Sequence, residues 1–240
     1  MQPTQYVSLS GQIALQKRLD TIANNVANLN TAGYRSEEVR FETILSEASR
    51  EPTAYSSAGE TYLSRKHGGF TETGNRLDVA IKGDAFLSIN TPAGQVYTRD
   101  GRMQMNEQGE LQTLNGHAVL DAGGAPIQLD PNGGDVSISA DGTLTQSGRQ
   151  LGALGLFTIS NDAKLARYEN SGVIPNVPAE PALDFARNGV AQGFVEQSNV
   201  NPVAEITRLI TVQRTFEAVS GTISATDERQ RDSIRALGPS

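Results

Sequence analysis

Cysteine and tryptophan are both missing from this sequence of 240 residues, and the two absences exclude different things. Without a thiol there is no disulfide framework, no thiolate metal ligand and no cysteine nucleophile. Without Trp, and with aromatic residues at only 5%, a core has to be assembled from Val, Ile, Leu and a few Phe. A hydrophobic fraction of 37% makes that core lean: one domain with helical extensions, not two full domains. No run approaches the roughly 20 apolar residues that span a bilayer. The start, Met1-Gln2-Pro3-Thr4, carries neither a basic region nor an apolar stretch, so no cleaved signal and no direct membrane insertion are expected. Basic residues are also in deficit, 20 against 27 acidic ones, for a net charge of -7. No nucleic acid is expected as a partner, because DNA binding needs clustered Lys and Arg.

Catalytic materials are scarce as well. His67 and His117 stand alone, without the paired spacing of a metal site. No phosphate-binding loop and no G-x-S-x-G string is present. Asp78, Asp84, Asp100 and Glu107 could pair in space as glycosidase carboxylates do, so a wall-degrading enzyme stays open on sequence grounds. Acidic residues beside Gly are, however, mostly turn formers. Asp130-Pro131-Asn132-Gly133-Gly134 opens like a calcium loop, but Gly134 sits at a ligand position and no closing Glu follows. The reading therefore expects no catalytic set, no cofactor and no metal.

What is present is a division by glycine. Residues 1–32 contain only Gly11 and residues 202–237 only Gly221, although the chain has 24 glycines. Glycine-poor ends thus enclose a turn-rich middle. In the first end Leu15, Leu19, Ile22, Val26 and Leu29 recur every three or four residues and form one seam of a helix, which should close near Asn30-Thr31-Ala32-Gly33. In the last, Asn201 is placed to cap a helix with Pro202 at its first position, and Gly238-Pro239 is a stop signal. Between them Leu209, Val212, Phe216, Val219, Ile223 and Thr226 make a second seam. The two ends can pair as coiled-coil helices.

The middle alternates in short runs, such as Leu77-Asp78-Val79-Ala80-Ile81, between turns at Asp100-Gly101, Asn115-Gly116, Gly123-Gly124, Gly133-Gly134 and Asp141-Gly142. Strands are expected over 85–89, 95–98, 103–105, 111–113, 127–129, 136–138 and 154–159. Residues 33–70, broken by Glu51-Pro52 and Ser56-Ser57-Ala58-Gly59, read as an extended connection. Residues 171–181, with Pro175, Pro178 and Pro181, should also be extended, since each Pro removes a ladder donor. The expected architecture is α+β: paired terminal coiled-coil helices (1–32 and 199–240), an extended connector (33–70) and one small, irregular, mainly antiparallel β domain (71–198).

Two features of the ends call for partners. Val203, Ile206 and Ile210 lie off the line of Leu209 and Phe216, so a two-helix hairpin would leave a second apolar stripe wet. Asn24, Asn25 and Asn28 fall outside the seam of the first helix, and each costs up to about 0.7 kcal/mol of helix propensity relative to Ala. Either they fray and cap the helix end, or their amides hydrogen-bond to other subunits. Helices satisfied only in an array imply heterologous, non-closing contacts, which build a helical tube. A secreted coiled-coil adhesin is the remaining alternative, though it would concentrate its coiled coil in one stalk.

The string Asn24-Asn25-Val26-Ala27-Asn28-Leu29-Asn30-Thr31-Ala32-Gly33-Tyr34-Arg35 resembles the N-terminal signature of the flagellar rod and hook axial proteins. Its counterpart is Gly193-Phe194-Val195-Glu196-Gln197-Ser198-Asn199-Val200-Asn201-Pro202-Val203-Ala204-Glu205, followed by Val212-Gln213-Arg214-Thr215-Phe216-Glu217. Leu77-Asp78-Val79-Ala80-Ile81-Lys82-Gly83 and Tyr97-Thr98-Arg99-Asp100-Gly101 look like that family's β-domain motifs. The length is short for a hook protein. The charged stretch 227–238 is more similar to proximal-rod members than to distal-rod members, and the region after Tyr34 lacks the insertion expected of the latter.

The resemblance implies a torque-transmitting subunit of the rod that crosses the periplasm, with its helices lining the inner tube and its β domain outside. It implies export through the flagellar type III apparatus, and as partners other rod proteins and copies of itself. The expected contact residues are Leu15, Leu19, Ile22, Asn24, Asn25, Val26, Asn28, Leu29, Val203, Ile206, Leu209, Ile210, Val212, Gln213, Phe216, Val219 and Ile223.

Overall fold

A computed structural model describes residues 3–46, 53–57 and 59–237. Glu51-Pro52, Ala58 and the stop signal Gly238-Pro239 lie outside the described residues. The chain divides into two compact units. One holds the terminal helices and residues 37–62; the other holds residues 28–36 and 63–200.

In the first unit, helix α1 (Pro3–Ala27) and helix α2 (Pro202–Leu237) pack on one another. The start of α2 follows its sequence signals: the Asn201 side chain accepts the Ala204 N–H at 3.1 Å, the Asn201 carbonyl accepts that of Glu205 at 3.0 Å, and Pro202 opens the helix. Helix α1 stops at Ala27, several residues before the expected close, and a turn follows in which Thr31 N–H reaches the Asn28 carbonyl.

The expected extended connector is instead a β-hairpin in two stages. Glu37–Arg40 pairs with Glu60–Leu63, and Thr43–Ser46 pairs antiparallel with Thr53–Ser56. Its alternation is easy to miss because a charged residue takes one of the inward positions of its first strand. Glu37 and Val39 are half-buried while Glu38 and Arg40 are exposed. The hairpin lies on α1, held by Lys17 Nζ on the Gly59 carbonyl at 2.7 Å and by Ser56 N–H on Ser10 Oγ at 3.3 Å.

The second unit is antiparallel β structure throughout. A nine-stranded sheet runs in the order Leu165–Tyr168, Gly172–Pro175, Gly94–Thr98, Ala85–Thr91, Ala118–Val119, Leu111–Thr113, Met103–Met105. Leu156–Thr158 joins it on Ala85–Thr91 and carries the edge strand Glu180–Pro181. A three-stranded meander, Val136–Ile138, Thr143–Gln146 and Arg149–Ala153, lies beside two small pairs, Val79–Ile81 with Val190–Gln192 and Phe70–Glu72 with Phe194–Glu196. The core is aliphatic, with Val79, Ile81, Leu87, Val96, Leu111 and Leu144 fully buried. A smaller cluster stacks Tyr97 on Phe157 at 5.5 Å.

Two strand expectations change. Residues 127–129 form no strand of their own: Gln128 makes a single bridge to Glu110, and Ile127 and Leu129 hydrogen-bond to the backbone of Leu111, Val119 and Gly109. The proline-rich segment does enter a sheet: Gly172–Pro175 is paired on both sides, because Pro175 comes last in its strand and the donor it lacks is at a ladder end.

Candidate assembly surfaces and a buried charged knot

The faces of α1 and α2 divide cleanly by burial. Ile22, Asn25 and Val212 are buried, as are Ala14, Thr21 and Glu205. Leu15, Leu19, Val26, Leu209, Phe216, Val219 and Ile223 are half-buried. Asn25 and Ile22 line one cleft with Glu205 and Arg208, and Arg208 holds Glu205 at 2.6 Å. The C-terminal end of α1 is thus beside the N-terminal end of α2, and the helices run antiparallel. Asn28 and Leu29, half-buried, belong to the β unit.

On the other side of α2 the second stripe stays in water. Val203 is 75% exposed, and Ile206 and Ile210 are each 47% exposed. Gln213 is exposed beside them. Helix α1 has a matching stripe that the seam analysis missed, Leu9 at 50% and Ile13 at 53%. Its signal was available in sequence: the two residues are four apart and sit off the seam of Leu15, Leu19 and Ile22. Large apolar side chains at half exposure in adjacent helical turns are the kind of surface that marks an interface.

The asparagines behave differently from one another. Asn24 is exposed. Asn25 is 2% exposed, and its amide is spent inside the chain: Nδ2 donates to the Glu37 carbonyl and Oδ1 accepts the Glu37 N–H. It neither frays the helix nor faces outward, because burial at this site demands partners for both amide groups and the hairpin backbone supplies them. Asn28 Oδ1 accepts the Thr31 hydroxyl at 3.0 Å.

In the β unit, the sequence motifs converge on a buried knot that sequence reasoning did not foresee. Arg99 and Glu196 are each 1% exposed and Arg35 is 4% exposed. Arg99 Nε donates to Glu196 Oε2 at 2.5 Å, and its other nitrogens reach the carbonyls of Ile81, Gly83 and Ala85. Arg35 pairs with the remaining Glu196 oxygen at 3.2 Å and donates to the Lys66 carbonyl. Gly68 N–H also reaches Glu196. Burial, then repulsion from Arg99, lowers the Arg35 pKa to about 10 against the pull of Glu196. Burial likewise lowers Arg99, with Glu196 opposing.

Around this knot the strands that enter and leave the unit are laced together. Gly33 N–H donates to the Glu196 carbonyl at 2.8 Å, and Asn199 Oδ1 accepts the Ser36 N–H at 2.7 Å. Gly33 has φ +67, and a Cβ there would meet Asp100 N at 2.2 Å. Gly101, expected as a hairpin glycine, is required for a different reason: a Cβ would stand 1.8 Å from the Val79 carbonyl oxygen. Both histidines lie at ordinary sites. His67 Nδ1 accepts from Arg35, which leaves Nε2 to donate to Asp84; His117 contacts Glu169. Among the described residues no cluster of His, Cys, Asp and Glu could hold a metal ion.

Three family models match in chain order: flagella basal body rod protein over residues 6–35, flagellar hook protein FlgE/F/G D1 domain over 80–146, and flagellar basal body rod FlgEFG protein C-terminal over 191–236. The flagellar basal-body rod protein FlgF of Mesorhizobium japonicum is 51% identical over 238 residues, 99% of both chains. The chain belongs to the flagellar basal-body rod protein family. The rod protein FlgF of Rhizobium meliloti is 45% identical over 100% of both chains, whereas the rod protein FlgG of Bacillus subtilis is 30% identical over 93% of this chain and 94% of its own. This rod protein is therefore of the FlgF type, with FlgG a more distant relative. It is a structural subunit of the basal-body rod and not an enzyme.

Proposed function

We propose that this chain builds the proximal rod by laying α1 and α2, as paired coiled-coil helices, against those of copies of itself and of other rod proteins, so that the array closes into a helical tube transmitting torque from motor to hook. The observation that carries this reading is the divided surface of α2. One face is buried on α1, while Val203, Ile206 and Ile210 stay in water on the other. A heterologous contact repeated with a rise gives a tube instead of a closed ring. The contact residues of the seams, Leu15, Leu19, Val26, Leu209, Phe216, Val219 and Ile223, are half-buried in the single chain and have surface left for neighbours.

On this reading the chain travels through the flagellar type III export apparatus and takes its place in the rod across the periplasm. The absence of cysteine suits passage as an unfolded chain. In a flagellated host, removing the chain should stop swimming and leave incomplete rods in images of basal bodies; deletants that swim would contradict the proposal. Truncation of residues 1–30 or 202–240 should abolish binding to other rod proteins.

A further inference from the structure

Resting on the tube assembly proposed above, a specific docking register can be read from the two wet helix faces. Leu9, Ile13, Asp20, Ala23 and Ala27 share one exposed face of α1. Val203, Ile206, Ile210, Arg214, Gly221 and Ala225 share one exposed face of α2. The α1 face carries Asp20, and the α2 face carries Arg214 together with Glu217, which is held by Gln213. Neither Asp20 nor Arg214 has an ion-pair partner among the described residues; Asp20 accepts only a hydrogen bond from Gln16 at 3.0 Å.

The two faces are also graded in size, in the same sense along their helices. On α1 the large residues come first and the small ones, Ala23 and Ala27, last. On α2 the large residues again come first, and Gly221 and Ala225 last. Two such faces fit when they run antiparallel, and the helices of one chain already do. Copies related by rotation about a tube axis and a rise along it keep their direction, so α1 of one copy and α2 of the next are antiparallel too.

We propose that the outer face of α1 receives the outer face of α2 from a second copy of this chain, antiparallel, in the register that sets Asp20 against Arg214. In that register Ile13 falls opposite Gly221 and Leu9 opposite Ala225, while Ile210 falls on Ala23 and Asn24, Ile206 at the end of α1 beside Ala27, and Val203 beyond it. At Ile13, Leu9, Ile210 and Ile206 a large residue meets or adjoins a small one, which lets the helices approach closely. Gly221 then has a reason to be glycine. It weakens the interior of a helix, yet in the single chain a Cβ there would meet nothing within 4 Å. The receiving side is an open groove of about 490 Å³, with Ile13, Gln16, Lys17, Asp20, Thr21 and Asn24 on α1 and Glu37 and Thr61 of the hairpin along its edge. Asp20 and Glu37 outnumber Lys17 there, and Lys17 is engaged by the Gly59 carbonyl, so the groove is acidic on balance where Arg214 would arrive.

The natural lack of cysteine gives a clean background for testing the register. Leu9→Cys and Ala225→Cys chains are co-expressed in a flagellated host, and basal bodies are purified, oxidised and run without reductant. A covalent dimer is expected from this pair. The control pair Leu9→Cys with Ile210→Cys is displaced by fifteen residues, roughly 22 Å along the helix, and should give none. Both chains present in basal bodies without a dimer, or a dimer from the control alone, would overturn the register and leave tube assembly standing. Absence of the unaltered chain from basal bodies would overturn both. A second measurement guards against misfolded variants: Asp20→Arg should cut incorporation several-fold and Arg214→Asp in the same chain should restore it. Failure of that restoration, with both variants folded by circular dichroism, also overturns the proposal.

Discussion

Asn25 near the end of α1 closes a two-bond ring on the backbone of Glu37, donating through Nδ2 at 2.9 Å and accepting through Oδ1 at 2.8 Å. The side-chain amide thus treats the first hairpin residue as a neighbouring strand would. The same clasp fixes the start of the hairpin against α1, and Lys17 and Ser10 extend the attachment toward the helix N-terminus. The wall of the acidic groove is held in place by these contacts.

Asn25→Ala should therefore act on the hairpin and not on the β unit. It leaves the Glu37 N–H and carbonyl without their partner, at a cost of about 1–3 kcal/mol. Hydrogen exchange should show faster exchange over residues 37–63 with unchanged protection over 79–98. Uniform protection of both regions would contradict the clasp.

The knot of Arg35, Arg99 and Glu196 predicts a larger effect. Glu196→Gln keeps the shape but leaves two buried guanidinium groups without a countercharge, and breaking such a pair costs about 3–5 kcal/mol. Urea unfolding of the β unit is the measurement; a loss below about 1 kcal/mol would show that the pair is not closed in solution.

Backbone crowding gives a third expectation. Gly33→Ala must place a side chain at φ +67 and against the Asp100 backbone, so it should lower stability by more than about 1 kcal/mol. Gly134→Ala, with φ +76 but nothing within 4 Å of the added carbon, isolates the strain of the dihedral alone. The difference between the two in thermal unfolding measures the crowding at Gly33.

At acid pH the turn at Asp141 should respond. Its carboxylate accepts the Thr143 N–H at 3.1 Å and the Thr143 hydroxyl at 2.9 Å, and these bonds lower its pKa below the ordinary range. The sign follows from linkage: the contribution is present above about pH 4, the unfolded value, and is lost as pH falls through the lower folded value. Asp141→Asn should therefore differ from the parent in stability at neutral pH and converge with it in strong acid.

Much of this was legible before the fold was seen, and the exceptions have physical causes. The two terminal helices, the Asn201 cap and the wet stripe at Val203, Ile206 and Ile210 are local properties of the sequence, and the structure repeats them, although Leu29 of the first seam lies beyond the end of α1. In sequence the segment 37–63 reads as part of an extended connection, because its inward side is Glu37 and Val39, which carries almost no hydrophobic alternation. Its support comes from α1, far away in sequence. The knot escaped for a similar reason. Arg35, Arg99 and Glu196 are spread across most of the chain, and nothing in the sequence around a charged residue announces that it will be buried. Asn25 was singled out by its cost to the helix, yet its partner was a backbone that only the fold supplies.

The central claim is that the exposed face of α2 serves assembly and contributes nothing to the fold of the single chain. The direct measurement is the double variant Ile206→Asp and Ile210→Asp, followed both in urea unfolding and in swimming of a flagellated host. The account predicts stability within about 0.5 kcal/mol of the parent and loss of motility, with the chain missing from purified basal bodies. Normal swimming, with the variant present in intact rods, would contradict it.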